Sequence, residues 1–273
     1  MEGVDEKLEI LSKVSVITVV YNAEKVLENA ILSVLNQTYP NIEYVVVDGK
    51  STDSTVDILK KYGDRIIWRS EPDDGIFDAM NKGLKMSGGE WIHFLGADDT
   101  LESDGIQNLI NFSESADIVY GNTHLIFENG MVRNQLSHSV DLLDKKMIAS
   151  HQSFIVRRSV FDKIGLFNTN YKLTSDYDFL IRAYLFGIKF KKTDVFVVNY
   201  NIYGESSNVI KSALEIYKIQ RKYGFKHRGY FGFLKSLGKG YFVKFFKLLF
   251  KDSLYLKVIL YKYNIYRWLF NRA

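Results

Sequence analysis

Two uninterrupted runs of apolar, mostly β-branched residues constrain the fold of this chain more than any other feature. VSVITVV occupies residues 14–20 and IEYVVVD occupies residues 42–48. Such runs are typical of strands that are buried on both faces. Residues 24–36 lie between them and carry apolar side chains at helical spacing. Because a helix that joins two such strands makes a right-handed crossover, the pattern predicts an α/β fold with a mostly parallel central sheet.

The rest of the chain continues the alternation of strands and helices. Helices are expected at 56–63, 75–86 and 175–187, strands at 65–70 and within 88–99, a pair of strands around a turn at Asn129–Gly130, a strand and a helix within 151–165, and an outer strand at 190–204. Ligands of open parallel sheets bind outside the carboxyl ends of the strands, so the functional site is expected there.

Composition limits the compartment and the kinds of site. The 273 residues contain no cysteine, which excludes disulfides and cysteine-ligated metals and fits a reducing compartment. The acidic start, MEGVDEKLEI, does not resemble a signal peptide, and no run reaches the roughly 18 apolar residues of a spanning helix. We expect a cytoplasmic protein.

Carboxylates recur where the predicted strands end: Asp48 after the second, Asp73 and Asp74 after the third, and Asp98 and Asp99 after the fourth. A single Asp in such a place is usually a turn former or a helix cap. Several at one edge raise each other's pKa unless a cation is present. Oxygen ligands suit Mg²⁺ or Mn²⁺, which bridge carboxylates to a substrate's phosphates.

Other phosphate-binding and catalytic motifs are missing. The chain has neither GxGxxG after the first strand nor GxxxxGK[ST], so a dinucleotide fold of the Rossmann type and a P-loop are not expected. It also lacks HExxH and GxSxG, which argues against a zinc protease and an α/β-hydrolase.

Three long blocks resemble the family-2 glycosyltransferases. They are SVITVVYNAEKVLENAILSVLNQTYPNIEYVVVDGKSTDST, SEPDDGIFDAMNKGLKMSGGEWIHFLGADDTL and HQSFIVRRSVFDKIGLFNTNYKLTSDYDFLIR, in this order, within about residues 14–187. The resemblance implies the GT-A fold, a Rossmann-like α/β/α sandwich. It also implies a nucleotide-diphosphate-sugar donor, a divalent metal (Mn²⁺ or Mg²⁺) and inversion at the anomeric carbon.

The resemblance also implies roles for individual residues on the donor side. Asp48 matches an Asp that binds the base or ribose, and Gly49 stands where the family often has a second acid. The other residues implied to shape the nucleotide pocket or to line the donor site are Tyr21, Asn22, Glu24, Asp53, Asp74, Asp78, Asn81 and Lys82.

Asp98 and Asp99 match the family's metal-binding acid motif in a reduced form, with Gly96 where many members carry Asp or Asn. We assign both to the metal, Asp99 as the main ligand and Asp98 nearer the ribose or sugar. The bound cation would neutralise charge on the leaving nucleoside diphosphate.

Chemistry at the acceptor requires a base, because an acceptor hydroxyl must lose its proton as it attacks. By the resemblance, Asp176 is that base; read alone, it is equally typical of a helix N-cap. Arg182 could orient Asp176 or Asp178. His151 and Gln152 match a pair on the acceptor side, although a lone His is also common in a protein core.

The end of the chain differs from its body. Residues 211–273 carry 15 Lys and Arg against 2 Asp and Glu, and residues 223–270 contain 16 aromatic residues. We favour an in-plane helix on an anionic membrane, with packing on the catalytic domain as the alternative. Nucleic acid is not an expected partner, because the lysines of YFVKFFKLLFK border a bulky apolar face.

The sequence therefore predicts a catalytic domain at 1–210 and a basic helical extension at 211–273. The predicted activity is transfer of a sugar to a glycan acceptor, lipid-linked and made for a bacterial surface polysaccharide, at the inner face of the cell membrane. A nucleotidyltransferase, or a catalytically silent nucleotide-sugar-binding protein tethered to a membrane, is the alternative.

Overall fold

The computed structural model of the protein describes residues 11–202 and 209–225. The strands are β1 Val14–Val20, β2 Ile42–Asp48, β3 Ile67–Ser70, β4 Trp91–Gly96, β5 Thr100–Leu101, β6 Ile118–Ile126, β7 Val132–Gln135, β8 Phe154–Arg157 and β9 Phe190–Asn201. The α-helices are α1 Leu27–Leu35, α2 Thr55–Lys61, α3 Ile76–Met86, α4 Gly105–Ile110, α5 Arg158–Ile164, α6 Ser175–Leu185 and α7 Val209–Lys222.

The nine strands form one sheet in the order β3-β2-β1-β4-β8-β6-β9-β5, and β7 pairs with β6 beside this path. Strands β1 to β4 are parallel to one another, whereas β8 runs antiparallel to both of its neighbours. The parallel half is the predicted α/β unit, with β1 and β2 at the predicted residues. The predicted fold class is confirmed.

The prediction of an outer strand at 190–204 needs a correction. Strand β9 pairs with β6 along its length and is not the last strand of the sheet, because β5 pairs with its other side, although only at Val198 and Asn199. Its lysines and its Asp194 are exposed or half-buried and gave the impression of an edge, but Val197 and Val198 are fully buried. The partner on the open side, β5, has only two residues and so leaves no periodic signal in the sequence.

Helix α1 begins at Leu27, three residues later than predicted. Residues 24–26 form a turn that follows Asn22, which adopts a left-handed backbone conformation with φ of 50°. The backbone N–H groups of Asn22, Ala23 and Glu24 donate to side chains of the loop after β2.

The two faces of the sheet carry different cores. One face is aliphatic, with side chains such as Val16, Ile31 and Leu95 in a single buried cluster. The other face holds phenylalanines that join four elements; the ring of Phe167 lies 5.3 Å from that of Phe94 in β4 and 5.2 Å from that of Phe179 in α6. This second core fixes α6 against the sheet.

The chain divides into two units, Met1–Ser207 and Asn208–Ala273. Within the second, the structure describes residues 209–225, where α7 ends with Arg221 and Lys222. The predicted membrane segment at 223–270 lies almost wholly outside the described residues, and the predicted boundary at residue 210 stays a prediction. No helix in the described part of the chain is long and apolar enough to span a membrane.

Candidate active site

The register of the parallel strands brings the predicted strand-end residues to one edge. Val20 at the end of β1 pairs with Asp48 at the end of β2, and Asp48 pairs with Ser70 at the end of β3. On the other side of β1, Val19 pairs with Gly96 at the end of β4. The loops that carry the candidate residues therefore leave the sheet side by side.

The two acids after β4 occupy a tight turn between β4 and β5. The backbone N–H of Asp99 donates to the carbonyl of Gly96 at 3.2 Å. A Cβ on Gly96 would overlap Asp99 Oδ2 and lie 3.2 Å from Asp98 Oδ1. Both carboxylates thus converge on the bare backbone of Gly96, and a residue with a side chain there would displace them.

Asp99 is almost fully buried, and both of its oxygens accept hydrogen bonds. Gln152 Nε2 donates to Oδ2 at 2.8 Å, and the backbone N–H of Asn201 donates to Oδ1 at 2.8 Å. Burial raises the pKa of Asp99 to about 7, with a further contribution from the charge of Asp98. Burial also raises the pKa of Asp98. Two crowded carboxylates in a low dielectric are a receptive site for a cation.

The carboxylate oxygens of the acidic turn fit Mg²⁺ or Mn²⁺ if oxygen atoms of the substrate complete the coordination. Within residues 11–202 and 209–225, no three His, Asp or Glu side chains are grouped so that they alone could hold a metal. Mg²⁺ sites commonly use one or two carboxylates together with substrate phosphates and water. Asp98 and Asp99 provide such a pair.

Asp176 lies in the first turn of α6, while the N-cap position belongs to Thr174. Its Oδ1 accepts the backbone N–H of Tyr177 at 2.8 Å. The amino end of a helix stabilises a negative charge, which suits a carboxylate that has to accept a proton. Reading Asp176 as the N-cap is therefore wrong by two positions.

A small apolar cavity of about 30 Å³ joins Asp176 to His151. Phe94 and Phe179 form part of its wall. Among the described residues, the buried Nε2 of His151 has no hydrogen-bond partner, and burial lowers the pKa of this imidazole to about 4. Since Gln152 contacts Asp99, the dipeptide 151–152 links the surroundings of Asp176 to the acidic turn.

Arg182 is engaged away from Asp176. Its Nε donates to Asp178 Oδ2 at 2.8 Å, and its terminal nitrogens donate to the carbonyls of Ile164, Gly165 and Leu166 at the end of α5. The Asp178 side chain is fully buried. Of the two carboxylates that sequence analysis offered to Arg182, the structure pairs it with Asp178.

Three of the predicted nucleotide residues bind two loops together. Asn22 Oδ1 accepts the N–H of Thr52 at 2.8 Å, Glu24 Oε2 accepts that of Ser54 at 3.0 Å, and Asp53 Oδ2 accepts the N–H of Glu24 at 3.1 Å. These contacts lock the loop after β1 to the loop after β2 and leave exposed rims on both.

Tyr21 stands at the same edge with 63% of its side chain exposed. It neighbours Asp73, which sequence analysis did not include among the site residues. A Cβ on Gly49 would lie 2.5 Å from Asp73 Oδ2 and 3.6 Å from Tyr21 Cδ2. Asp73 therefore fills the place that a side chain at residue 49 would take. The one signal of this in the sequence is Gly49, which stands where the family often has an acid.

Asp48, the last residue of β2, is fully buried. Its carboxylate accepts the hydroxyls of Ser51 and Ser70, each at 2.5 Å, and the N–H of Ser51 at 3.1 Å. As the structure stands, Asp48 orders the loops after β2 and β3, and direct contact with a base or ribose would need a new side-chain conformation.

The residues carried by α3 and the loop before it form a separate group. Asp78 Oδ2 accepts Lys82 Nζ at 3.0 Å and the N–H of Asp74 at 3.1 Å, and the bond to Lys82 lowers the pKa of Asp78. Asn81 is buried, and its amide exchanges two 3.0 Å bonds with the backbone of Phe167. Asn81 thus supports the fold, while Asp74 is exposed.

Comparisons with known proteins agree with this architecture. The family model Glycosyl transferase family 2 matches residues 15–169. A PGL/p-HBAD biosynthesis glycosyltransferase of Mycobacterium tuberculosis is 36% identical over 205 residues, covering 72% of this chain and 79% of that protein. An uncharacterized glycosyltransferase of Rickettsia typhi is 30% identical over 240 residues, covering 83% and 73%.

Two solved structures share the fold. S. aureus TarS 1-349 in complex with UDP-GlcNAc superposes with a TM-score of 0.61 at 23% identity, covering 77% of this chain and 65% of that one. The mannosyltransferase PcManGT from Pyrobaculum calidifontis, in complex with GDP-Man and Mn²⁺, gives a TM-score of 0.62 at 15% identity and covers 93% and 80%. These likenesses confirm the GT-A fold, and the family match favours glycosyl transfer over the nucleotidyltransferase and the silent binder. The chain belongs to glycosyltransferase family 2.

Proposed function

We propose that this glycosyltransferase moves a sugar from a nucleotide-diphosphate-sugar to a hydroxyl of a glycan acceptor, with inversion at the anomeric carbon. The observation that carries the proposal is the acidic turn, where Asp98 and Asp99 converge beside Gly96 at the carboxyl edge of the sheet. The structural neighbours that were solved with UDP-GlcNAc and GDP-Man support a donor of this class.

Asp98 and Asp99 would hold a divalent cation, Mn²⁺ or Mg²⁺. When bound, the cation supplies Lewis-acid stabilisation of the diphosphate leaving group. The solved neighbour with Mn²⁺ supports its use. The protein's own part is to keep the two carboxylates together and partly shielded from water, which strengthens their attraction for a cation.

Asp176 would accept the proton of the acceptor hydroxyl as the oxygen attacks the anomeric carbon. Attack from the side opposite the leaving group breaks the bond to the diphosphate and inverts the configuration. The position of Asp176 in the first turn of α6 favours its charged form, and the apolar walls of the neighbouring cavity limit competing water.

Tyr21 and the cross-bonded loops after β1 and β2 would bound the nucleotide end of the donor. Tyr21 offers an exposed ring for a base to stack on, and Asp74 and Lys82 would line the donor site on the α3 side. Asn22, Glu24 and Asp53 would act mainly by keeping these loops in place.

The acceptor is proposed to be lipid-linked, and the protein to work at the inner face of the cell membrane. The basic, aromatic composition of residues 223–270 supports this location. Flotation with anionic and neutral vesicles tests it. Binding to anionic vesicles that weakens but persists at high salt is expected, and equal absence from both kinds would contradict the membrane contact.

The donor proposal is tested by calorimetric titration with UDP-, GDP- and dTDP-sugars, with Mn²⁺ and with a chelator. At least one sugar nucleotide should bind in a Mn²⁺-dependent manner, and Asp99→Asn should remove most of that dependence because an amide is a poor ligand for a hard cation. Donor affinity that is the same with Mn²⁺, with chelator and in the variant would refute the metal assignment.

A further inference from the structure

The acidic turn is held by two groups that sequence analysis did not connect with it. Gln152 lies 53 positions after Asp99 in the chain and Asn201 lies 102 positions after it, yet each donates a 2.8 Å hydrogen bond to one oxygen of the Asp99 carboxylate. We infer that Gln152 and Asn201 are positioning residues that fix the Asp99 carboxylate for a divalent cation. The inference rests on the metal use proposed above.

Both hydrogen-bond donors, Gln152 and Asn201, lie in regular secondary structure. Asn201 is the last residue of β9, and the antiparallel pairing of Thr100 with Asn199 brings this strand end alongside the acidic turn. Its side-chain Nδ2 also donates to the backbone carbonyl of Asp98. One asparagine therefore contacts both members of the acidic pair, Asp99 through its backbone N–H and Asp98 through its side-chain amide.

Gln152 lies in a short 3-10 helix, His151–Ser153, directly before β8. The N–H and the hydroxyl of Ser153 both donate to the carbonyl of Ser150, at 2.9 Å and 2.7 Å, which closes this turn. The backbone of Gln152 is therefore fixed by the turn. Its side-chain amide can hold the Asp99 carboxylate in one orientation.

The two donors are uncharged. They satisfy one lone pair on each oxygen of Asp99 without neutralising its charge, whereas an Arg or Lys in the same place would compete with a cation. Asp98 is held in another way, because Asn201 Nδ2 donates to its backbone carbonyl and not to its carboxylate. The Asp99 carboxylate is therefore fixed through both of its oxygens, whereas Asp98 is fixed through its backbone. Hydrogen-bonded partners of metal ligands commonly contribute about 10- to 100-fold to metal affinity.

Two variants of Gln152 and one of Asn201, with a matched control, test the inference. Gln152→Met keeps the length of the side chain and removes the donor, and Gln152→Asn keeps the amide but shortens its reach. Gln107→Met is the matched control, since Gln107 donates to Asn111 on the exposed face of α4. Mn²⁺ binding is followed by electron paramagnetic resonance with Mn²⁺ alone, with Mn²⁺ and UDP, and with Mn²⁺ and GDP. Circular dichroism verifies that each variant is folded.

We expect both Gln152 variants to bind Mn²⁺ about 10- to 100-fold more weakly than the parent, and Gln107→Met to bind like the parent. Asn201→Ala keeps the N–H to Asp99 and loses the contact with Asp98, so its loss should be smaller, below about 10-fold. If Gln152→Met does not fold, Gln152→Asn carries the test.

Two results would overturn the inference and are distinguishable. A folded Gln152 variant that binds Mn²⁺ like the parent shows that the bond only satisfies a buried carboxylate, or that Gln152 serves the acceptor, and it leaves the proposed function standing. A parent protein that binds no Mn²⁺ under any of the three conditions removes the inference together with the metal use on which it rests.

Discussion

We expect the free energy of unfolding to fall at acidic pH because of a histidine in the middle of the sheet. His93 of β4 is fully buried; its Nδ1 lies 3.0 Å from the carbonyl oxygen of Phe154, and its Nε2 has no partner among the described residues. Because a carbonyl only accepts, the neutral ring carries its proton on Nδ1. A second proton would place a charge and an unsatisfied N–H in the core.

The size of the effect follows from the pKa. Burial, with a smaller contribution from nearby His151, lowers the pKa of His93 from 6.5 to about 3. The folded state then binds fewer protons than the unfolded state below pH 6.5, so the stabilisation is complete above that pH and is lost as the pH falls towards 3. At pH 4.5 the unfolded histidine lies about 2 pH units below its own pKa, which corresponds to a loss of about 3 kcal/mol.

Urea unfolding at pH 7.0 and pH 4.5 measures this loss. His93→Asn can keep a donor to Phe154 and has no proton to bind, so its free energy of unfolding should fall by about 2 to 3 kcal/mol less between the two pH values than that of the parent. The variant can be less stable than the parent at pH 7.0 without affecting this difference. An equal fall in both proteins would refute the reasoning that His93 is buried in its neutral form.

Three further predictions concern the turnover of the enzyme and the stability of its fold. Asp176→Asn should bind donor with near-normal affinity and lose turnover by about 10²-fold or more, and turnover at the parent rate would contradict its role as base. Asp99→Asn should raise the free energy of unfolding of the metal-free protein at pH 8, by about 1 kcal/mol or more, because it removes a charge from a buried site; an unchanged value would contradict this. Arg182→Met should destabilise the fold by about 3 to 5 kcal/mol in urea unfolding, because buried Asp178 loses its partner, and adding Asp178→Asn should restore part of the loss.

The elements that could be predicted from sequence are those whose signal is local. The ends of β1 and β2 were predicted to the residue because a run of β-branched side chains buried on both faces has few other conformations. The acidic turn after β4 was likewise placed at the carboxyl edge, since parallel strands end together.

Contacts between distant parts of the chain could not be predicted in this way. The resemblance placed Gln152 on the acceptor side, which stays a prediction, and gave no sign of the bond from its amide to Asp99. Nothing in the local pattern marks Asn201, because its role arises from the pairing of β9 with the two-residue strand β5. The pairing of β5 with the outer side of β9 was missed for the same reason.

The exchange of hydrogen bonds between the loops after β1 and β2 has a thermodynamic consequence for ligand binding. Since Asn22 and Glu24 already hold the backbone at residues 52 and 54, these loops lose their conformational entropy when the chain folds and not when a nucleotide arrives. Lys50, two residues before Thr52, adopts a left-handed conformation with φ of 66°. Substitutions that break the exchange should therefore make nucleotide binding entropically less favourable, even where they remove no atom that touches the ligand.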